Sequence, residues 1–206
     1  MTTEQNGHRI FAALYGAMSR SMEAGPIGAA RRELVSQARG VVVDLGAGRG
    51  ANLPHLGPEV RQVHLVEPDP HMLKRLRPIA PAHAVVHPVA AERLPLEDAG
   101  VDTVLATLML CSVTDPVAVA GEIRRVLKPG GRLLVLEHVR APDARSARWQ
   151  DRLERPWGWV SAGCHPNRDT SAVLAAAGFD TTGLTRFRGP GLPIVRPWVS
   201  GVLVAR

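Results

Sequence analysis

Apolar positions along the chain follow two rhythms. Over residues 9–22 and 27–38, Ile, Leu, Met and Val recur at three- and four-residue steps, and "AGPIG" at 24–28 separates the two stretches. That spacing predicts two helices, each with one buried face. From residue 40 onward the pattern changes to short runs without polar alternation: "VVVDL", "VDTVLATLML" and "RLLVLEHV". A strand covered on both faces reads this way, so strands are predicted near 41–45, 62–67, 84–87, 101–108 and 132–138 of a mostly parallel sheet. Helical stretches near 49–56, 70–77, 116–127 and 145–154 alternate with or follow them, which implies an α/β, doubly wound arrangement. The tail reads as a helix near 169–177, a strand near 180–188, and then "PIVRPWVSGVLVAR". Two late strands with no helix between them predict an antiparallel C-terminal hairpin at one edge, for seven strands in all. There is no internal repeat or low-complexity linker, so 1–206 is expected to form one domain. A helical lid (1–38) would precede a core (40–140) and an acceptor side (141–206).

Composition narrows this picture little. At 206 residues the chain can bury roughly 70% of its extended surface, and 45% hydrophobic with 21% charged residues is ordinary for a globular domain. No apolar run approaches the ~18 residues of a membrane span. The N-terminal "MTTEQNGHRI" lacks the order of a signal peptide, so a soluble cytoplasmic protein is expected. Two cysteines make no disulfide framework. The net charge of +6 is almost all arginine, spread along the chain among only 4% aromatics. Nucleic-acid binding needs a clustered basic face, so a small-molecule partner is favoured instead.

The chemistry concentrates in "VVVDLGAGRGAN" at 41–52. Gly46 and Gly48 permit a tight turn and close approach of a ligand, and a helix after the turn would present free N–H groups. G-A-G-R-G-A also satisfies the dinucleotide pattern G-x-G-x-x-A. Glu67, about 20 residues on, can accept both hydrogen bonds of a ribose diol, and either a dinucleotide or S-adenosylmethionine offers one. Asp44 separates the two. A carboxylate two residues before the turn repels a pyrophosphate and attracts an ammonium, which the methionine moiety carries. Asp44 can otherwise serve only as a helix cap.

The pieces "VVVDLGAGRGAN", "VEPDPHML", "AAERLPLEDAGVDTVLATLMLCSV" and "EIRRVLKPGGRLLVLEHV" together resemble the Rossmann-like class I S-adenosylmethionine-dependent methyltransferases over about residues 40–140. "TLMLCSV", "LEHVR", "WQDRLERPWGWVSAGC", "NRDT" and "VRPWVSG" resemble, more narrowly, the methyltransferase-like alkyl-thiol S-methyltransferases and their bacterial relatives. The resemblance implies S-adenosyl-L-methionine as cofactor. It puts Asp44, Gly46, Ala47 and Gly48 along the methionine end and sugar, with Asn52 near the methionine part. Glu67 would take the ribose, with Pro68 and Asp69 beside it. Met72 would lie on the adenine face and Ala91 and Glu92 at its edge, Ala90 standing where many members carry Asp. Thr107 and Leu108 would approach the carboxylate end. Phe11 and Tyr15 would belong to the lid, with Tyr15 a ligand to the methionine carboxylate.

Methyl transfer from a sulfonium is an in-line displacement in which alignment is worth roughly 7–11 kcal/mol. A thiol, with a pKa near about 8.5, needs no dedicated base, which makes it the first acceptor considered. An O-, N- or C-methyltransferase of a lipid, quinone or secondary metabolite is the alternative. A cofactor-binding module without turnover is the alternative from another class. The acceptor pocket is expected over the carboxyl ends of the strands. His138, Trp149, Trp157, Cys164, His165 and Arg168 are its candidates, and His138 or His165 could orient the acceptor or take a proton. Cys164 also reads as a small buried hydrophobe, 165–167 as a turn, and Asp169 or Thr170 as a helix cap. A Cys–His pair alone supplies too few ligands, so no metal is assigned, and Cys111 receives no role.

Overall fold

A computed structural model of the protein describes residues 23–161 and 163–205. The predicted helix at 9–22, with Phe11 and Tyr15, lies outside them. Seven strands form one sheet: β1 (Gly40–Leu45), β2 (Val60–Val66), β3 (Ala84–His87), β4 (Val101–Thr107), β5 (Leu127–His138), β6 (Leu184–Arg188) and β7 (Pro197–Val204). Their spatial order is β3-β2-β1-β4-β5-β7-β6. The first five run parallel, and β7 is antiparallel to both β5 and β6, so the predicted terminal hairpin forms the edge.

Among the described residues five α-helices accompany the sheet: α1 (Pro26–Val35), α2 (Pro70–Leu76), α3 (Pro116–Val126), α4 (Ala144–Val160) and α5 (Thr170–Ala176). Asp–Pro pairs open α2 and α3. Asp69 and Asp115 accept the first free N–H groups, while the proline ring presets the helical φ. Asp143 and Asp169 cap α4 and α5 in the same way. Ile27, Leu34 and Val35 of α1 and Leu76 of α2 pack on one face of the sheet against Val42, Leu65, Leu105 and Leu134. Ile123 of α3, Leu174 of α5 and Phe179 pack on the other face against Val43, Val104, Leu133 and Val135. Burial on both faces is what the unbroken apolar runs of β1, β4 and β5 require, and each buried aliphatic side chain contributes about 1.5–3 kcal/mol.

Four predicted elements differ, the first being the helix near 145–154, which runs on to Val160 as α4. The stretch 49–56 forms no α-helix; the chain turns and then makes a 3-10 segment, Leu53–His55. Gly50 takes φ +79°, and Pro54 has no N–H to donate, so an α-helical ladder cannot cross this stretch. Strand β5 starts five residues early because "LKPGG" pairs too, with a slip between Val101↔Leu127 and Thr103↔Arg132. The strand predicted near 180–188 begins only at Leu184, after a 3-10 segment capped by Asp180. No described helix is long and apolar enough to cross a membrane.

Candidate active site

The parallel strands leave a crevice outside the carboxyl ends of β1 and β4, where the order of strands reverses. At the end of β1, Asp44 is buried and accepts a 2.7 Å hydrogen bond from Asn52 Nδ2 through Oδ1. Asn52 Nδ2 also lies 2.9 Å from Thr107 Oγ1 at the end of β4. Arg31 of α1 closes the group: its Nη1 donates to Asn52 Oδ1 at 2.7 Å and to Thr107 Oγ1 at 2.9 Å, and its Nε pairs with Glu23 at 2.9 Å. Arg31 is 3% exposed. Burial pushes the Asp44 carboxyl up to about 7, against the opposing pull of the Asn52 hydrogen bond and the Arg31 charge. Its Oδ2 is buried with no hydrogen-bond partner among the described residues. Arg31 is not among the residues the sequence predicts for the site, because nothing in "AARRELV" distinguishes an inward arginine from a solvated one.

The glycine turn does what the sequence requires of it. Gly46 and Gly48 take φ +61° and +57°, and a Cβ on Gly46 would stand 2.7 Å from Met109 Cβ. Glu67, at the end of β2, accepts from Gly48 N through Oε2 and from Asp69 N through Oε1, both at 2.8 Å. Its two oxygens are thereby aimed beside the turn, and burial holds its carboxyl above the usual range. Asp69 is occupied as the cap of α2, with Pro68 between it and Glu67. Met72, Ala91 and Ala47 are buried apolar residues of the core. Ala90 is exposed. Glu92 accepts from the backbone of Thr114 and Asp115, tying the segment after β3 to the start of α3.

Leu108 follows β4 with φ +58°, a conformation rare for a bulky side chain. The turn it creates aims the N–H groups of Met109 and Leu110 at Oε1 of Glu137, at 2.7 and 2.8 Å. Glu137 is fully buried in β5, and burial raises its carboxyl above the usual range. A carboxylate inside "LLVLEHV" was the available signal for it, since a buried acid needs partners.

Beyond the ends of β4 and β5 the structure brings together Cys111 after β4, His138 at the end of β5, and Cys164 after α4. All three are buried, and one ligand atom from each lies within 4.8 Å of the others. His138 Nε2 is 2.9 Å from Cys164 Sγ, and the Trp157 indole donates to the same sulfur at 3.3 Å. Burial and the neighbouring Cys111 keep the Cys164 thiol protonated. Cys111, given no role from sequence, is therefore part of the site. Arg168 spans the turn after β4, donating to the carbonyls of Leu110 and Val113 at 2.7 and 2.8 Å. The His165 ring instead pairs with Glu154 of α4 at 2.6 Å, and only its backbone N–H reaches the cluster, at Cys111 O. Trp149 is half-exposed beneath Arg152. The buried Gln150 joins these segments. Its amide donates toward the carbonyls of Val139, Pro166 and Ile194 and accepts from Ala141 N.

A family model described as "Methyltransferase domain" matches residues 43–135, the stretch that carries the crevice. Thiol S-methyltransferase TMT1B of Homo sapiens is 35% identical over 193 residues, covering 86% of this chain and 76% of that one. The chain belongs to the S-adenosylmethionine-dependent methyltransferases. Thiol S-methyltransferase TMT1A of Homo sapiens is 31% identical over 178 residues, covering 79% of this chain and 70% of that one. A SAM-dependent methyltransferase from Thermotoga maritima superposes with a TM-score of 0.66 at 20% identity, covering 96% of this chain and 99% of that one. That likeness shows the shared fold. As a methyltransferase of this family the protein is an enzyme whose cofactor is S-adenosyl-L-methionine. The crevice fits such a group: it holds a buried carboxylate oxygen without a partner, paired acceptors on Glu67, and a turn that admits no side chain at Gly46.

Proposed function

We propose that this methyltransferase transfers its methyl group to the sulfur of a small, rather apolar thiol. The observation that carries this reading is the 35% identity to thiol S-methyltransferase TMT1B across 86% of the chain. S-adenosylmethionine supplies an electrophilic methyl carbon on a positively charged sulfur. Asp44 would hold the ammonium of the methionine part, and Asn52, Thr107 and Arg31 would set the orientation of the Asp44 carboxylate. Glu67 would accept from the ribose hydroxyls. The backbone of 46–48 and Leu108 would close around the ligand, with Met72, Ala91 and Glu92 flanking the base. Tyr15 remains a proposed ligand of the methionine carboxylate.

For a thiol the chain has little acid–base work to do, because the acceptor ionises near neutral pH and only alignment is needed. The surroundings of His138 and Cys164 suit alignment, being buried, walled by Trp157, and fixed by Gln150 and Arg168. A cytoplasmic location belongs to this same reading. Transfer of labelled methyl to a panel of hydrophobic thiols, phenols and amines tests it. Transfer to thiols alone is expected. Transfer confined to phenols or amines would replace the thiol reading with an O- or N-methyltransferase, and cofactor binding with no transfer would indicate a binding module.

A further inference from the structure

We propose that Cys111, His138 and Cys164 form a binding site for one thiophilic divalent ion of the zinc class, beside the methyl-transfer crevice. Three separate segments supply the donors: the turn after β4, the last residue of β5, and the loop after α4. Their ligand atoms lie within 4.8 Å of one another, and all three residues are buried. Two sulfurs and one imidazole nitrogen are the donor types that zinc prefers, and three protein ligands leave a fourth tetrahedral position open for water or a soft acceptor. Bond lengths to zinc would place nitrogen and sulfur about 3.5 Å apart, so the 2.9 Å His138–Cys164 pair has to open by about 0.6 Å.

The scaffold holds these donors in place independently of a metal. His165 N donates to Cys111 O at 2.8 Å, which locks the Cys164 loop onto the turn after β4. Arg168 fixes that turn through two carbonyls, and Gln150 ties the loop to the end of β5. The environment also matches what surrounds a metal-bound thiolate. Trp157 Nε1 already donates to Cys164 Sγ, and hydrogen-bonding groups in the layer around a site tune and orient its ligands. The imidazole presents its Nε2, the nitrogen 2.9 Å from Cys164 Sγ, to the two sulfurs, so the donor atom already faces the cluster. Charge balances on binding. Both thiols lose their protons to the buffer, and two thiolates neutralise the dication. The site does not depend on the acceptor being a thiol.

Titration of the reduced, metal-free full chain with Co²⁺ tests the proposal. One equivalent should produce thiolate-to-cobalt charge-transfer absorption and the visible bands of a tetrahedral ion, and Zn²⁺ should abolish both. Cys111→Ser and Cys164→Ser should each weaken the charge-transfer band, and His138→Ala should lower affinity by at least about tenfold. Retained S-adenosylmethionine binding shows that each variant is folded, and the wild-type spectrum decides the matter if one is not. A wild-type titration without thiolate bands would overturn the site. So would unchanged bands in both serine variants, or a Cys111–Cys164 disulfide forming in preference to metal binding when the reductant is removed.

Discussion

The two ends of the crevice hold their polar groups by different means. At β1, charge answers charge: Arg31 is drawn inside, and Asn52 and Thr107 relay it to Asp44 through hydrogen bonds of 2.7–2.9 Å. At β5 the groups are soft and weakly polar, a thiol against an imidazole with an indole N–H alongside. The first environment suits a zwitterion whose position has to be fixed. The second suits a polarisable, largely apolar ligand, and the backbone contacts of Gln150 and Arg168 hold its segments together. The polar groups of the two ends can therefore be disturbed separately.

The sharpest test of the first end is Asp44→Ala. It leaves Asn52 Nδ2 without its acid, and kcat/KM should fall about a thousandfold, about 4 kcal/mol of transition-state stabilisation. Activity within tenfold of wild type would remove Asp44 from the site. At the second end, Gln150→Leu removes the acceptor of Ala141 N and the two amide hydrogens shared among the carbonyls of Val139, Pro166 and Ile194, and denaturant unfolding should report a loss of about 3 kcal/mol. Cofactor affinity of the folded fraction should hardly change; a large drop there would show that the two ends are coupled. The turn offers a comparison within one motif. Gly46→Ala meets Met109 at 2.7 Å as well as an unfavourable φ, whereas Gly48→Ala meets nothing closer than 3.7 Å. Thermal melts should show Gly46→Ala the more costly, by about 1–2 kcal/mol beyond the roughly 1 kcal/mol of backbone strain common to both.

The smallest effect comes from pH. With the Asp44 carboxyl pushed up to about 7, the folded protein keeps a proton that the unfolded chain loses near the ordinary value of 3.8. The folded state then binds more protons between those values, so the stability of the cofactor-free protein falls as pH rises through that window. An ammonium ligand prefers the ionised acid, and cofactor affinity should rise about tenfold between about pH 6 and about pH 8. Calorimetry on wild type and Asp44→Asn checks this, and the variant should lose the slope. A wild-type affinity flat across that range would mean that the ammonium lies elsewhere.

Much of this architecture is legible in local sequence. The apolar runs of β1, β4 and β5 announce strands buried on both faces, and the Asp–Pro pairs mark two helix starts. The cofactor turn and Glu67 are readable for the same reason: a strand, a glycine turn and an acid one strand later lie within 30 residues and adopt their geometry from neighbours in the chain. The helix predicted at 49–56 fails on equally local grounds, at Gly50 and Pro54.

The chain order alone determined the strand pattern, the turn and the acid that identify the cofactor. Tertiary structure decided the rest. Arg31 reaches Thr107 across 76 positions, and Glu137 meets Met109 across 28. Cys111 joins His138 and Cys164 only because β4 and β5 lie side by side and the loop after α4 folds back over their ends. Propensity and periodicity describe how a segment satisfies its own backbone. A buried polar side chain must take its partner from whichever segment the topology places next to it, and no local pattern encodes that choice.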